Sequence, residues 1–299
     1  MRGKLIFVFS CLVILLIPST IASKSVVDLE VEESLSSIDI GILAGALSPD
    51  GESVLVVGMD GYARELSALK ADDRTKDVEL NTGRTVSLND VAWHPRGQAA
   101  LIAGDKGVAL RYETSNHGVT LVNGTGSIIG RDLSTVEWRQ AGDYAYFGAE
   151  DGGVWRFAEG IGFIPLDGSK NSSITGISCH RNFDVCVMST LDDGLAVIGS
   201  THNISWLSST SSDTWVDVDC AEPVLNECVA FGSGLRTRII SINSIDSTKS
   251  SAGASVQYTT LEGDFTKVSR GHGSTSLILL APFSTVRHYP VEDDAFVHT

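Results

Sequence analysis

The sequence predicts an all-β fold, a β-propeller of six blades with about four antiparallel strands each, and three observations predict it. The first is a unit. Residues 88–112, LNDVAWHPRGQAALIAGDKGVALRY, hold three short apolar runs separated by Gly- and Pro-bearing turns, a pattern that reads as an antiparallel meander. Such a meander cannot bury both faces alone, so it needs neighbours of its own kind. The second is repetition. GALSPDG from Gly45 is echoed by VAWHPRG from Val91, VEWRQAG from Val136, ISCHRNF from Ile177, VDCAEPV from Val218 and VSRGHGS from Val268. The intervals of 46, 45, 41, 41 and 50 residues suit blades of a few strands rather than helical solenoids. The third is a recurring second turn, Met59-Asp60-Gly61, Gly104-Asp105-Lys106-Gly107, Glu150-Asp151-Gly152-Gly153 and Asp192-Asp193-Gly194. Gly between alternating apolar runs takes positive φ without steric cost and closes a hairpin. A seven-bladed ring is the alternative, with few residues left to build the extra blade.

Along the chain, residues 1–23 read as a secretory signal peptide. Arg2 and Lys4 precede an apolar stretch of about 14 residues, short of the roughly 20 needed to span a bilayer, and small residues end it at Ala22 and Ser23. The rival reading is an uncleaved N-terminal membrane anchor. Residues 24–37, acidic and apolar by turns, are either a tether or a strand that closes the ring, and residues 295–297 are the competing closing strand. Residues 38–299 form the propeller. Two longer insertions, 69–77 and 243–254, each follow a third strand and are expected as surface loops.

The turn SPDG, the Asp-Gly turns and the rhythm LNDVAW...GDKGVALRY resemble the WD40-like and Ycf48-like (BNR-type) propeller repeats over roughly residues 39–289. No Gly-His opens a repeat and no Trp-Asp closes a third strand, where Arg111-Tyr112-Glu113 and Arg156-Phe157-Ala158 stand instead. Nor is there an Asp box. The resemblance is therefore to the wider superfamily, and it implies a rigid face for binding.

Charge and cysteines narrow the setting. The formal net charge of -15 becomes -17 once Arg2 and Lys4 leave, which argues against nucleic acid and against an anionic membrane surface. Four cysteines follow the leader. Cys179 with Cys186, and Cys220 with Cys228, each bracket a first turn, so the partners should face each other across one hairpin. An exported chain favours these two disulfides over a metal site, and the spacings fit no zinc pattern. Sequons at Asn123, Asn171 and Asn203 are glycosylation candidates.

No catalytic motif emerges. His94, His180 and His272 occupy first turns of alternate repeats, where three imidazoles could in geometry ligate a metal; polar turn residues are the expected role, with no metal and no cofactor. Asp60, Asp105, Asp151 and Asp193 are expected to stabilise turns rather than bind calcium. Arg64, Arg111, Arg156 and Arg287 on third strands are expected to pair between blades or with solvent. The function expected is an exported, monomeric binding or scaffold module, secreted or at the cell surface, that holds a protein or glycan ligand on one face. The alternatives are an extracellular polysaccharide hydrolase or lyase, which requires carboxylates at the channel mouth, and an assembly factor for a membrane complex.

Overall fold

The computed structural model describes residues 41–68, 77–211 and 213–220, and beyond these the strands at 227–232, 236–241, 255–260, 267–270, 276–281, 285–292 and 295–296. The expected leader 1–23, the segment 24–37, most of the insertion 69–77, all of 243–254, and His272 lie outside the described residues.

The strands form six four-stranded antiparallel sheets in strict chain order. The first sheet is β1 (Ile42–Leu47), β2 (Ser53–Gly58), β3 (Ala63–Ser67) and β4 (Val78–Glu79). The second is β5 (Leu88–Trp93), β6 (Ala99–Gly104), β7 (Val108–Glu113) and β8 (Gly118–Leu121). The third is β9 (Leu133–Trp138), β10 (Ala145–Ala149), β11 (Val154–Ala158) and β12 (Gly162–Pro165). The fourth is β13 (Ile174–Cys179), β14 (Cys186–Thr190), β15 (Leu195–Ile198) and β16 (Ile204–Leu207). The fifth is β17 (Trp215–Asp219), β18 (Glu227–Gly232), β19 (Arg236–Ser241) and β20 (Ser255–Thr260). The sixth is β21 (Lys267–Arg270), β22 (Ser276–Ala281), β23 (Thr285–Glu292) and β24 (Ala295–Phe296). The first strand of each sheet touches the first strand of the next, from β1 to β5, β9, β13, β17 and β21. These are the inner strands. The C-terminal residues 295–296 serve as the outermost strand of the sixth sheet, Val291 facing Phe296.

The core lies between sheets, not within them, and this explains the unbroken apolar runs. Along β6, Ala100 and Ile102 join a cluster with Leu55 and Val57 of the first sheet. Their alternates Leu101 and Ala103 join Val136, Trp138 and Phe147 of the third. With both faces covered, all of AALIAG is buried. The same split divides β14, where Cys186 and Met188 pack with Tyr146 while Val187 packs with Trp215.

A β-bulge sits near the start of five inner strands. The register skips Leu43, Asn89, Ser134, Thr175 and Val216, the second residue of each strand. A bulge bends the strand and re-aims the extra side chain. It also raises local twist, which lets flat-packed sheets fan apart.

Cys179 and Cys186 are direct partners across β13 and β14 and are bridged; Cys220, just past the end of β17, is bridged to Cys228 of β18. In the second and third sheets Trp93 and Trp138 hold the position of Cys179. Reducing either bridge, or the pair Cys179→Ser with Cys186→Ser, should lower stability by about 2 kcal/mol, since each closes only a short loop. A fall in denaturant midpoint at unchanged slope would show it; an unchanged midpoint would deny the bridge any stabilising role.

Candidate functional site

The inner strands meet edge to edge without backbone pairing, so side chains must satisfy the free edge of each strand. Most reach forward to the next sheet, while Trp93 Nε1 donates back to the Ala46 carbonyl at 2.8 Å. The bulged Asn89 donates from Nδ2 to the Leu133 carbonyl at 2.9 Å, and the bulged Ser134 donates to the Ile174 carbonyl at 2.5 Å. Asp90 Oδ2 accepts both the Thr135 hydroxyl and the Val136 N–H at 2.8 Å. Glu137 accepts the Cys179 N–H at 3.4 Å, and the Ser178 hydroxyl accepts the Cys220 N–H at 2.9 Å. Asp90→Ala removes the acceptor of these two donors and of the Val91 N–H, and hydrogen bonds to a charged group contribute about 1.5–3 kcal/mol each. A stability loss of roughly 2–3 kcal/mol is expected in thermal unfolding, with Asp90→Asn losing less. No loss in Asp90→Ala would mean that the inner strands hold together without it.

Carboxylates thus gather on the inner strands, with Asp90, Glu137, Asp217 and Asp219 at the third and fifth positions. The repeats aligned in sequence already carried the signal in LNDVAW, LSTVEW and WVDVD. Glu137 keeps a minority of its surface open. Enclosure by protein pushes its carboxyl up to about 8; the Cys179 N–H opposes this, Asp219 and Asp90 add to it, and Arg181 opposes.

On the first-turn face His94 is buried and its bonding assigns the tautomer. Nδ1 accepts the Arg96 N–H, leaving the proton on Nε2, which donates to the Gly142 carbonyl of the next sheet at 3.0 Å. Its ring stands edge-on to Trp138 at 4.7 Å. His180 is likewise buried, and its Nδ1 accepts the N–H groups of Asn182 and Phe183. The Nδ1 of each imidazole thus binds its own turn, and the Nε2 of His94 joins that turn to the next sheet. Among the described residues no group of three or more His, Cys, Asp or Glu is placed to hold a metal.

Between the first turns of the third and fourth sheets lies a cleft of about 270 Å³ lined by Arg139, Gln140, Arg181, Asn182, Phe183 and Asp184 among others. Arg139 bonds Asp143 at 2.8 Å and Asp184 at 2.6 Å. The Tyr144 hydroxyl donates to Asp184 at 2.9 Å; burial first, and the Asp184 charge with it, raise that phenol's pKa. Phe183 is 36% exposed. The cross-strand bridge Cys179–Cys186 stands at the base of the hairpin that carries His180 to Val185.

Three of the second-turn aspartates have side-chain partners close in space. Asp105 accepts from Asn89 at 2.7 Å, Asp151 caps the Gly153 N–H and pairs with Arg131, and Asp193 lies 3.7 Å from Lys170. Asp60 takes positive φ of 54° beside Gly61. Two third-strand arginines bridge sheets: Arg111 pairs with Glu113 and with Glu159 of the next sheet. Arg156 donates to His202 Nε2 at 2.6 Å, so His202 Nδ1 carries the proton toward the Tyr146 hydroxyl at 2.8 Å. Burial and then the Arg156 charge lower the His202 pKa. Arg64 lies half-buried on β3, and the side chain of Arg287 is outside the described residues. Across the first interface, Tyr112 and His117 both meet the Glu65 carboxylate, at 2.5 and 2.8 Å.

Asn123, Asn171 and Asn203 are all exposed, the first two on loops that lead to the next inner strand and the third in the turn from β15 to β16. At the rim between the second and third sheets, Asn123 lines a groove of about 620 Å³.

No protein-family model and no curated protein matches the sequence. Solved structures do match. Kuenenia stuttgartiensis hydrazine synthase aligns with a TM-score of 0.63 at 12% identity, covering 84% of this chain and 77% of that one. The Neurospora crassa Pan2 WD40 domain aligns with a TM-score of 0.59 at 9% identity, covering 88% of this chain and 93% of that one. At such identities the likeness speaks for architecture alone. With its four-stranded antiparallel sheets in chain order, the chain has the fold of a WD40-like β-propeller.

Proposed function

We propose that this chain is an exported propeller whose six sheets close into one six-bladed ring, and that it binds a protein or glycan ligand on its first-turn face as a monomer. The cleft between the first turns of the third and fourth sheets carries this reading. It combines two guanidinium groups, amides and a half-open aromatic ring on a hairpin held by a disulfide, so little ordering is needed when a ligand arrives. Two disulfides suit an oxidising compartment outside the cytoplasm. The acidic balance of the sequence supports a salty exterior, where screening weakens self-repulsion.

The test uses the mature chain on a glycan array and in a cell-surface pull-down, beside Phe183→Ser and Arg181→Glu. A ligand held by the wild type and lost from both variants supports the reading. A ligand held equally by all three places binding elsewhere. Recovery of the native chain in the medium with both bridges formed supports export; retention in the membrane fraction favours the uncleaved anchor.

The inner-strand carboxylates favour a second reading, a hydrolase or lyase acting on extracellular polysaccharide. Glu137, held protonated up to about pH 8, would act as the acid there. Release of sugar ends by the wild type and its loss in Glu137→Gln would establish it, and equal release by both would exclude that role.

A further inference from the structure

We propose that Asn123 is an N-glycosylation site whose first sugars lie in the rim groove between the second and third sheets. The proposal rests on the export argued above. Asn123-Gly124-Thr125 is an acceptor triplet, and the asparagine is exposed just beyond β8, where Gly124 turns the chain with φ of 79°.

Asn123 is one of the residues that line the groove, so a glycan carried on it begins at the groove's wall. The groove, at about 620 Å³, has the size of sites that hold small ligands. Its lining is chemically mixed. Leu121 is 46% exposed and Ile161 67% exposed, large apolar side chains contributed by the second and third sheets. The Arg111 guanidinium, paired with Glu113 and Glu159, supplies donors and acceptors between them. A sugar ring presents both kinds of surface, with C–H faces for Leu121 and Ile161 and hydroxyls for the ion pairs. The close approach of Gly124 to Gly162, whose Cα would lie 3.0 Å from a Cβ at Gly124, keeps the two sheets together.

The other two acceptors are placed differently. Asn203 Nδ2 donates to the Thr201 hydroxyl at 3.1 Å inside a tight turn. Asn171 precedes Ser172, whose buried side chain accepts the Asp192 N–H at 2.7 Å and ties that loop to the second turn of the fourth sheet.

The co-reactant is a lipid-phosphate-linked oligosaccharide supplied by the host's transferase. The Asn123 carboxamide nitrogen bonds to the anomeric carbon of the sugar. The bond from that carbon to phosphate oxygen breaks, the lipid phosphate leaves with the electron pair, and one amide proton passes to the transferase's base. No oxidation or reduction occurs.

The experiment expresses residues 24–299 behind the leader of a secretory host that glycosylates asparagine, so entry into the lumen does not depend on residues 1–23. Peptide mass mapping compares wild type, Asn123→Gln and Thr125→Ala. Hydrogen exchange at residues 159–162 is followed before and after enzymatic removal of glycans, with Asn203→Gln as a control. Modification of Asn123 in the wild type, its loss in both variants, and a several-fold rise in exchange at residues 159–162 on deglycosylation support the proposal. Unmodified Asn123 in folded, disulfide-bonded protein overturns it. So does a modified Asn123 whose glycan can be removed without changing exchange at that turn. Export by the native leader is scored separately, from the location of the native chain.

Discussion

Gly107→Ala is expected to destabilise the protein by more than about 3 kcal/mol, while Gly130→Ala costs only about 1–2 kcal/mol. The two glycines share a φ of 76°, so the penalty for a side chain in left-handed backbone is common to both. They differ in space. A Cβ on Gly107 would sit 2.1 Å from the Ile128 carbonyl oxygen and 2.9 Å from the Ile129 Cα, whereas nothing lies within 4 Å of one on Gly130. Relief requires moving the loop that leads from the second sheet to the third. That would stretch the bonds from the Gly107 N–H to Arg131 and from the Gly130 N–H to Lys106. The contact recurs, with Gly61 against Arg84 and Gly152 against Lys170. Each second turn is therefore a seat for the chain's departure to the next sheet. Parallel denaturant titrations decide the matter, and equal losses in the two variants would refute the steric argument.

Glu137→Gln should make the protein more stable above neutral pH. The wild-type carboxyl has a folded pKa raised to about 8 from 4.5 in the unfolded chain. For a raised pKa the associated stability is fully present below the unfolded value and disappears as pH climbs to the folded one. Wild-type stability should thus decline between about pH 4.5 and 8, at a slope of at most 1.36 kcal/mol per pH unit for one proton. The open part of the Glu137 side chain lets solvent screen some of this, so a gain of roughly 2 kcal/mol is expected for the variant at pH 8. Gln cannot ionise, yet its amide oxygen can still accept the Cys179 N–H. Thermal unfolding of both proteins from pH 5 to 9 measures the gap. Parallel curves would show that Glu137 is well solvated and unperturbed by Asp90 and Asp219.

Much of the architecture was legible because the repeated turns carry residue types with few alternatives. Asp-Gly and Pro-x-Gly mark where hairpins close, and their intervals mark off one sheet after another. The disulfide partners were legible for the same local reason: Cys179 and Cys186 flank one turn. The coupling between sheets was not. Asn89 and Ser134 look like ordinary strand residues, and only the bulge turns them toward a carbonyl some 40 positions ahead. His94 shows both cases. The Nδ1 bond to Arg96 is a turn habit of the local sequence, but the Nε2 bond to Gly142 depends on how two sheets are set against each other. Glu137 reads as an exposed position in an alternating strand until the neighbouring inner strands enclose it.

The forward-reaching bonds of the inner strands have a consequence for how such a chain can grow. Asn89, Asp90, Ser134, Glu137 and Ser178 each hold the backbone of the following sheet, so a unit contains the means of attaching its successor. A whole unit copied in tandem brings a ready-made joint with it, and the number of units can change without inventing new interface chemistry. A deletion that cuts within a unit severs that joint and leaves the next edge bare.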